Sequence, residues 1–350
     1  MSTPASNFNR SSWFAPLRDL AQGAYTREIA LAVLIAILIT AFAVQYPRTF
    51  PTWDNAVAVL RGLAGDGVLA VGMMLLLIAG LFDLSVGSTF TLAGVVAAYF
   101  MTDAEFQWPP LLALAGGLAV AALAGFFNGV VVAKIKVNPL ITTLGTMGIF
   151  RGVAILIGGT GKPYSEEFRQ WGRTETWQLD WLSEPVAEQV RVIFKAENWG
   201  LWLLAFVALL FHYLLVHTRF FRQYYYIGSN VKAAVLSGIP VTRLQIFAFT
   251  LMGFLAGLAG IAFTARLGTS VATAGDGAEL RAITAVILGG ASLSGGRGTV
   301  IGALLGVVFI GLIKNVMPFA GINSNWQSII IGGVLVAAVA LDSLLNRRAR

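Results

Sequence analysis

The chain has 350 residues, of which 57% are hydrophobic and 12% charged, with a formal net charge of +7. A soluble protein of this length carries about twice that charged fraction, so the composition excludes an ordinary soluble domain. The absence of cysteine excludes disulfides, thiol nucleophiles and thiolate metal sites. Apolar runs of about 20 residues recur from Glu28 to Asp342, each long enough to cross the membrane as a helix. The sequence therefore predicts an all-α polytopic membrane protein.

The first third of the chain predicts a cytoplasmic arm and three helices. In the arm, residues 1–27, three arginines outnumber Asp19, and basic residues favour the cytoplasmic side. A first helix follows at about 28–46, and the segment 47–63 is expected at the outer interface. The long apolar tract that comes next is interrupted only by 82–88. It is long enough for two spans, predicted at about 65–81 and 87–101.

The rest of the chain predicts seven further helices and two notable connections. A long, mixed-charge external loop is expected at 158–198, a basic cytoplasmic loop at 217–243 and a cytoplasmic tail at 344–350. Together with the arm, these segments flank or interrupt a transmembrane domain at 28–343. The seven helices are predicted at about 110–127, 139–157, 199–216, 244–264, 281–292, 299–317 and 326–343.

The distribution of basic residues supports about ten transmembrane helices with both termini in the cytoplasm. Short outward loops hold only Arg48, Arg61 and Arg266. The short inward loops and the tail hold more: Lys134, Lys136, Arg219, Arg222, Lys232, Arg243, Arg297, Arg347, Arg348 and Arg350. Glycines within the predicted helices at 244–264 and 299–317 predict close helix packing in lipid. They are Gly253, Gly257, Gly260, Gly302, Gly306 and Gly311.

The basic loop contains a short segment with helix signals at both ends. Ser229 or Asn230 can cap a helix, and Gly238 with Pro240 can end it. A short amphipathic helix on the cytoplasmic side suits the docking of a soluble partner. A simple connecting loop with one helical turn is the alternative.

The sequence Leu84–Gly87 recurs as Leu293–Gly296, and each copy lies between two apolar segments. Broken helices at matching places in internal repeats indicate a substrate path, although two glycine-rich turns can share this composition by chance. Asp83 belongs either at membrane depth, where it needs a partner or water, or at the cytoplasmic interface as a polar turn, which is favoured. The candidate translocation residues are Asp83, Ser85, Gly87, Ser88, Thr143, Ser292, Ser294, Gly295 and Gly296.

Other polar residues within the predicted helices have simple structural explanations. Arg151 and Lys314 lie near helix ends, where their side chains can reach the membrane surface. Thr143 and neighbouring threonines can line a polar path or bond to carbonyls of their own helices. Asp83 is the only carboxylate that is a candidate for a position within the membrane.

No motif of covalent or metal chemistry occurs in the sequence. The segment ending Gly161-Lys162 resembles a phosphate loop, but Leu156 replaces its first glycine and Pro163 its Ser or Thr. The two histidines, His212 and His217, lie near one helix end and predict no metal site. The chain is therefore expected to bind no cofactor of its own, and its net charge indicates membrane lipid rather than nucleic acid.

Four sequence blocks, in order, resemble the integral-membrane permeases of bacterial sugar ABC importers, the ribose, xylose, arabinose and galactose type. The resemblance covers about 66–342 and is specific for the family but not for the sugar. The blocks are Asp83–Ser88, Asn138–Met147 with Arg151-Gly152, Gly228–Ile239 and Ile287–Thr299.

The resemblance implies a permease subunit that works as a pair, as a homodimer or with a paralogue. Cytoplasmic ATP-binding subunits would carry ATP and Mg²⁺, and a periplasmic or lipid-anchored binding protein would deliver the solute. The family often has an acidic residue where Lys232 stands and a basic one where Val235 stands, so individual charge contacts cannot be transferred. The coupling residues implied are Gly228, Asn230, Lys232, Ala233, Ala234, Ser237, Gly238 and Ile239.

These observations predict an inner-membrane transport subunit for a monosaccharide or similar small polar solute, with no ATPase site of its own. The same architecture could import nucleosides, autoinducer-like molecules or branched-chain amino acids. An ion-coupled secondary transporter is a further alternative and would have to use Asp83. A membrane-embedded enzyme is disfavoured because the sequence shows no nucleophile–base or metal constellation.

Overall fold

The structure is a computed structural model that describes residues 26–102, 106–159, 161–166, 198–323 and 325–348. This part of the chain contains helices and no β-strand, apart from one isolated bridge between Pro163 and Thr269. The helices are α1 (Thr26–Gln45), α2 (Trp53–Ile78), α3 (Val86–Thr102), α4 (Pro110–Ala133), α5 (Pro139–Gly158), α6 (Trp199–His217), α7 (Arg219–Ser229), α8 (Val231–Leu236), α9 (Val241–Leu267), α10 (Ala278–Leu288), α11 (Val300–Phe319) and α12 (Trp326–Arg348).

The all-α prediction is confirmed for the described residues, and each of the ten predicted membrane helices has a counterpart in sequence order. Seven helices are long and apolar enough to cross a membrane, namely α1, α2, α4, α5, α6, α9 and α11. Helices α3 and α12 have shorter apolar stretches. The cytoplasmic arm lies almost entirely outside the described residues, as does most of the 158–198 loop.

Several predicted boundaries were wrong, including that of the last helix, α12, which ends at Arg348 rather than near residue 343. Helix α2 begins at Trp53 rather than near residue 65, so most of the segment expected to lie along the outer interface is the first part of a membrane-length helix. At 26 residues, α2 is about 39 Å long. Helix α4 continues to Ala133, about two turns beyond its predicted end. The loop at 217–243 holds two helices, α7 and α8, where the sequence predicted one.

Helix α2 lies at the centre of the bundle. From Gly67 to Ile78 its residues are buried on every side, within the largest apolar cluster. A helix that is apolar all round is typical of such a position. Helices α6, α9, α10 and α11 pack beside it, and α9 also packs against α3 and α4, which contact each other.

Glycine allows these helices to approach one another backbone to backbone. A Cβ atom on Gly260 of α9 would lie only 1.9 Å from the carbonyl oxygen of Phe90 in α3. A Cβ atom on Gly306 of α11 would lie 1.9 Å from the carbonyl oxygen of Ala285 in α10. The prediction that small residues in these two helices permit close packing is confirmed.

The two halves of the predicted repeat end their first helices in the same way. After α2, the amide of Gly80 donates to the Leu77 carbonyl and the amide of Leu81 to the Leu76 carbonyl. After α10, Gly290 and Ala291 repeat the same pair of bonds. Both glycines have positive φ, 73° and 95°, as this helix-ending motif requires. The shared structure is therefore the helix end that precedes each copy. The copies themselves differ, because Val86 and Gly87 begin α3 whereas Gly295 and Gly296 lie in a turn before α11.

Candidate functional site

Helix α7 presents one face to the bundle and the other to solvent. Thr218 caps it, because its hydroxyl accepts from the amide of Phe221 at 3.4 Å. Phe221, Tyr224 and Ile227 recur every three residues and are buried, which anchors the helix to the bundle. Burial raises the pKa of the Tyr224 hydroxyl, which stays protonated and donates to the carbonyl of Leu244 at 2.9 Å.

Helix α8 follows α7 through a single residue. Asn230 ends α7, and its side-chain oxygen accepts from the amide of Ala233 at 3.0 Å, so the same residue caps α8. Gly238, at φ 80°, and the bond from the Ile239 amide to the Ala234 carbonyl end this short helix. The predicted cap and stop signals are therefore confirmed, with Asn230 as the cap.

The predicted coupling residues divide between an outer and an inner surface. Asn230, Lys232, Ala233, Ser237 and Gly238 are exposed. Leu236, in α8, has 89% of its surface exposed, whereas leucine side chains are most often buried. Ala234 is buried, and Gly228 and Ile239 are partly covered. Replacing Ala234 would therefore disturb packing, whereas replacing Ala233 tests the outer surface itself.

A cavity of about 700 Å³ opens between α7 and α8. Arg219 and Arg222 lie on its wall, with no carboxylate among its lining residues. The cavity can therefore receive a protruding segment with acidic or carbonyl groups at its tip. Its lining residues are Arg219, Arg222, Gln223, Tyr226, Ser229, Asn230, Ala233, Ala234, Ser237 and Ile239.

Asp83 is buried, with 2% of its surface exposed. Its Oδ1 accepts from the Ser85 amide at 2.7 Å and from the Ser85 hydroxyl at 2.6 Å. The amide nitrogen of Asn128 in α4 donates to Ser85 Oγ at 2.8 Å and lies 3.4 Å from Asp83 Oδ2. Asp83 thus lies in a polar turn that is enclosed between α3 and α4 and does not face solvent, and its depth relative to the membrane surface stays a prediction.

Most other candidate translocation residues near the first break are also enclosed. Ser88 and Thr143 are buried, and Thr143 donates to the Pro139 carbonyl at 2.8 Å, which is the self-bonding alternative. Gly87 adjoins the carbonyl of Gly275 and the carboxylate of Glu279. At the second break, Ser292 is buried and accepts from the Ser294 amide at 3.2 Å, while Ser294 is exposed. A part in translocation stays a prediction for all of them.

The structure brings the two predicted groups of residues together. Gly228, from the coupling group, lies against Gly295 and Gly296 of the second break and against Ile78 at the end of α2. The amide of Gly296 donates to the Ile78 carbonyl at 2.8 Å. No sequence pattern linked these segments, since they are about 70 and 150 residues from Gly228 along the chain.

Comparison with known proteins places the chain in a transport family. The family described as "branched-chain amino acid transport system / permease component" matches residues 56–339, most of the chain. The chain belongs to this permease family. As its all-helical fold and apolar helices indicate, the permease is a multi-pass membrane protein.

Curated relatives match the permease nearly end to end. The ribose import permease protein of Escherichia coli K12 is 37% identical over 90% of this permease and 92% of its own length. The L-arabinose transport system permease protein of the same strain is 33% identical over 99% of each chain. The autoinducer 2 import system permease protein of Salmonella choleraesuis is 37% identical over 80% and 75%. No solved structure matches the permease.

Sequence reasoning missed a charge cluster inside the permease. Asp66 lies midway along α2, where Arg281 Nε of α10 is 3.1 Å from both its carboxylate oxygens and Lys314 Nζ of α11 is 3.3 Å from Oδ2. The expectation that Asp83 is the only such carboxylate was therefore wrong. Lys314 is paired with Asp66 and has no need to reach the surface. The sequence did contain a signal for this cluster, because one apolar helix carries an acidic residue and two others carry basic residues that could pair with it.

Arg151 also has a partner. Its guanidinium pairs with the carboxylate of Asp276, in the turn before α10, and both side chains are partly exposed. Arg281 in turn donates to the backbone carbonyl of Asp276 at 2.9 Å. A continuous polar network thus joins α5, the turn before α10, α10 itself, α2 and α11.

Proposed function

We propose that the permease is the membrane-spanning subunit of an ATP-driven ABC importer in the bacterial inner membrane, carrying a monosaccharide or similar small polar solute. The observation that carries this proposal is the end-to-end similarity to permeases named for ribose and L-arabinose. ATP and Mg²⁺ would be held by separate cytoplasmic subunits. This chain would form the path for the solute and would not itself make or break covalent bonds.

In this proposal the chain crosses the membrane about ten times and both termini are cytoplasmic. The basic residues of the inward loops support this orientation. Helix α10 has 11 residues, about 16 Å, and reaches only about half way through the hydrocarbon core. Half-length helices at breaks in internal repeats are typical of transporter substrate sites.

The ATP-binding subunit would dock on α7 and α8. The exposed apolar residues Val231, Val235 and Leu236 belong to α8, whose Ala233 and Ala234 line the cavity described above. Exposed apolar side chains rimmed by polar groups mark interaction surfaces. The two arginines on the cavity wall would favour a partner segment with an acidic tip.

A second permease copy or a paralogue would cover α5. Its outer face carries exposed Ile141, Leu144 and Ile149. A Cβ atom added at Gly145, Gly148 or Gly152 would meet nothing within 4 Å, so another helix could approach this backbone closely. Lipid is the alternative cover for the same face, and the oligomeric state in a native membrane distinguishes them.

The binding protein would contact the outward loop at 158–198. The described start of this loop is fixed to the bundle. The amide of Ser270 donates to the Lys162 carbonyl at 2.8 Å, and the buried Tyr164 donates its amide to the Gly268 carbonyl at 3.0 Å. Replacing 167–197 by a short flexible linker should leave this anchor in place and abolish delivery of solute. Unchanged delivery would remove the loop from the proposal.

The proposal is tested by uptake of labelled ribose and L-arabinose in cells that lack their own importers for these sugars. The permease is expressed with its partner subunits, using either an active ATP-binding subunit or one whose phosphate-loop lysine is replaced. We expect uptake of one pentose with the active subunit and none with the inactive one. Uptake that survives the inactive subunit but stops when the proton gradient is dissipated would favour a secondary transporter.

The similarity to an autoinducer 2 permease supports a second candidate solute within the same architecture. Autoinducer 2 uptake by the same cells, with neither pentose transported, would select that candidate.

A further inference from the structure

Resting on the proposed function, we propose that Gly228 and Tyr225 are positioning residues that transmit movement of the docking helices directly to both helix breaks. Together with Ile78, Gly295, Gly296 and Gly298, they form what we term the junction. It joins α7 to the end of α2 and to the turn between α10 and α11 through backbone contacts of Gly228 and through the hydroxyl of Tyr225.

The first observation is the space around Gly228. A Cβ atom at this position would lie 1.8 Å from the Ile78 carbonyl oxygen and 2.4 Å from the Gly296 amide nitrogen. Those two atoms are themselves hydrogen-bonded at 2.8 Å. Gly228 therefore lies directly against the bond that connects the end of α2 to the second break. Only glycine fits there without displacing backbone.

The second observation is the matching glycine on the opposite side. A Cβ atom on Gly295 would lie 2.7 Å from the Gly228 carbonyl oxygen and 2.8 Å from its Cα. Gly295 and Gly296 also have φ of 87° and 76°, which residues with side chains seldom adopt. The contact is thus backbone against backbone from both sides. The first break is adjacent, since a Cβ on Gly80 would lie 3.8 Å from the Ser294 carbonyl oxygen.

The third observation is a hydrogen bond one turn earlier in α7. Tyr225 donates its hydroxyl to the carbonyl of Gly298 at 2.8 Å. Helix α7 therefore holds the second break at two points about one turn apart. Because Asn230 both ends α7 and caps α8, a displacement of α8 by a bound partner passes to α7. Close-packed backbone contacts cannot absorb such a displacement by changing rotamers, so the breaks must move.

The junction predicts a specific defect, in which the partner binds and hydrolyses ATP but transport does not follow. Gly228→Ala adds a methyl group against the Ile78–Gly296 bond and should separate α7 from the breaks. The matched control is Gly333→Ala in α12, where a Cβ atom meets nothing within 4 Å. The milder variant Tyr225→Phe removes one hydrogen bond at constant shape. Its control is Tyr213→Phe, at an exposed tyrosine of α6.

The experiment uses the full complex in proteoliposomes and measures three quantities: co-purification of the ATP-binding subunit, ATP hydrolysis, and solute imported per ATP. We expect co-purification and hydrolysis to persist in Gly228→Ala while import per ATP falls at least about tenfold. Loss of one hydrogen bond in Tyr225→Phe should lower import per ATP about threefold to tenfold. Both controls should match the wild type.

Three outcomes would overturn the inference. Normal import per ATP in Gly228→Ala would show that the contact transmits nothing. Loss of co-purification in that variant would place Gly228 in the docking surface instead. If Gly228→Ala cannot be purified as a folded complex, Tyr225→Phe decides alone, and its normal coupling would refute the junction. Failure of the proposed function is recognised separately, because wild-type uptake would then not require ATP.

Discussion

Replacing Asp66 by asparagine should destabilise the permease by leaving two positive charges facing each other. Asp66, Arg281 and Lys314 have only 16%, 19% and 30% of their side-chain surfaces exposed. Removing one partner of a buried ion pair costs about 3–5 kcal/mol in soluble proteins. Polar side chains of membrane helices find other partners when the bundle opens, which reduces such costs. We therefore expect the free energy of unfolding to fall by about 3 kcal/mol.

The structure also predicts an order of effects within this cluster. Lys314→Met leaves both carboxylate oxygens of Asp66 paired with Arg281, so the loss should be only about 1–2 kcal/mol. Asp54→Asn makes the same chemical change as Asp66→Asn at the exposed start of the same helix. It should have a much smaller effect and serves as the matched control.

Unfolding in mixed detergent micelles, followed by the fluorescence of the nine tryptophans, gives the three free energies. A loss for Asp66→Asn no larger than for Asp54→Asn would refute the reasoning. So would a larger loss for Lys314→Met than for Asp66→Asn, because the carboxylate would then not be the centre of the cluster.

Two further predictions concern the docking helices and the bundle. Asn230→Ala removes the cap of α8, which should cost about 1 kcal/mol locally and weaken co-purification of the ATP-binding subunit. Asn230→Ser keeps a capping hydroxyl and should restore co-purification. Equal loss of co-purification in both variants would contradict the capping role. Gly260→Val places side-chain atoms where even a Cβ would lie 1.9 Å from the Phe90 carbonyl oxygen, so the yield of folded protein should collapse. Its matched control is Gly333→Val, and normal yield for Gly260→Val would show that α3 and α9 can separate.

Composition and local signals predicted most of the helices because long apolar runs can satisfy their backbone only as helices. The start of α2 escaped prediction since Gly62, Gly65 and Asp66 interrupt the apolar run at its middle. Only the pairing of Asp66 with residues over 200 positions away explains its place inside the helix. Such pairing is a tertiary fact that a single sequence does not display.

The candidate site was predicted in pieces. Local signals identified Asn230 as a possible cap and Gly238 as a helix stop, and both are as predicted. The enclosure of Asp83 depends on Asn128, on another helix, so the sequence left its surroundings open. The contact between Gly228 and the second break depends on the packing of three segments and could not be read from any one of them.

Solute accumulation in proteoliposomes tests the central claim most directly. The vesicles contain the permease and its ATP-binding subunit, are supplied with the binding protein and a labelled pentose, and are loaded with ATP or with a non-hydrolysable analogue. The account predicts accumulation above the external concentration with ATP, unaffected by a proton ionophore, and none with the analogue. Accumulation that needs no ATP and collapses with the proton gradient would contradict it.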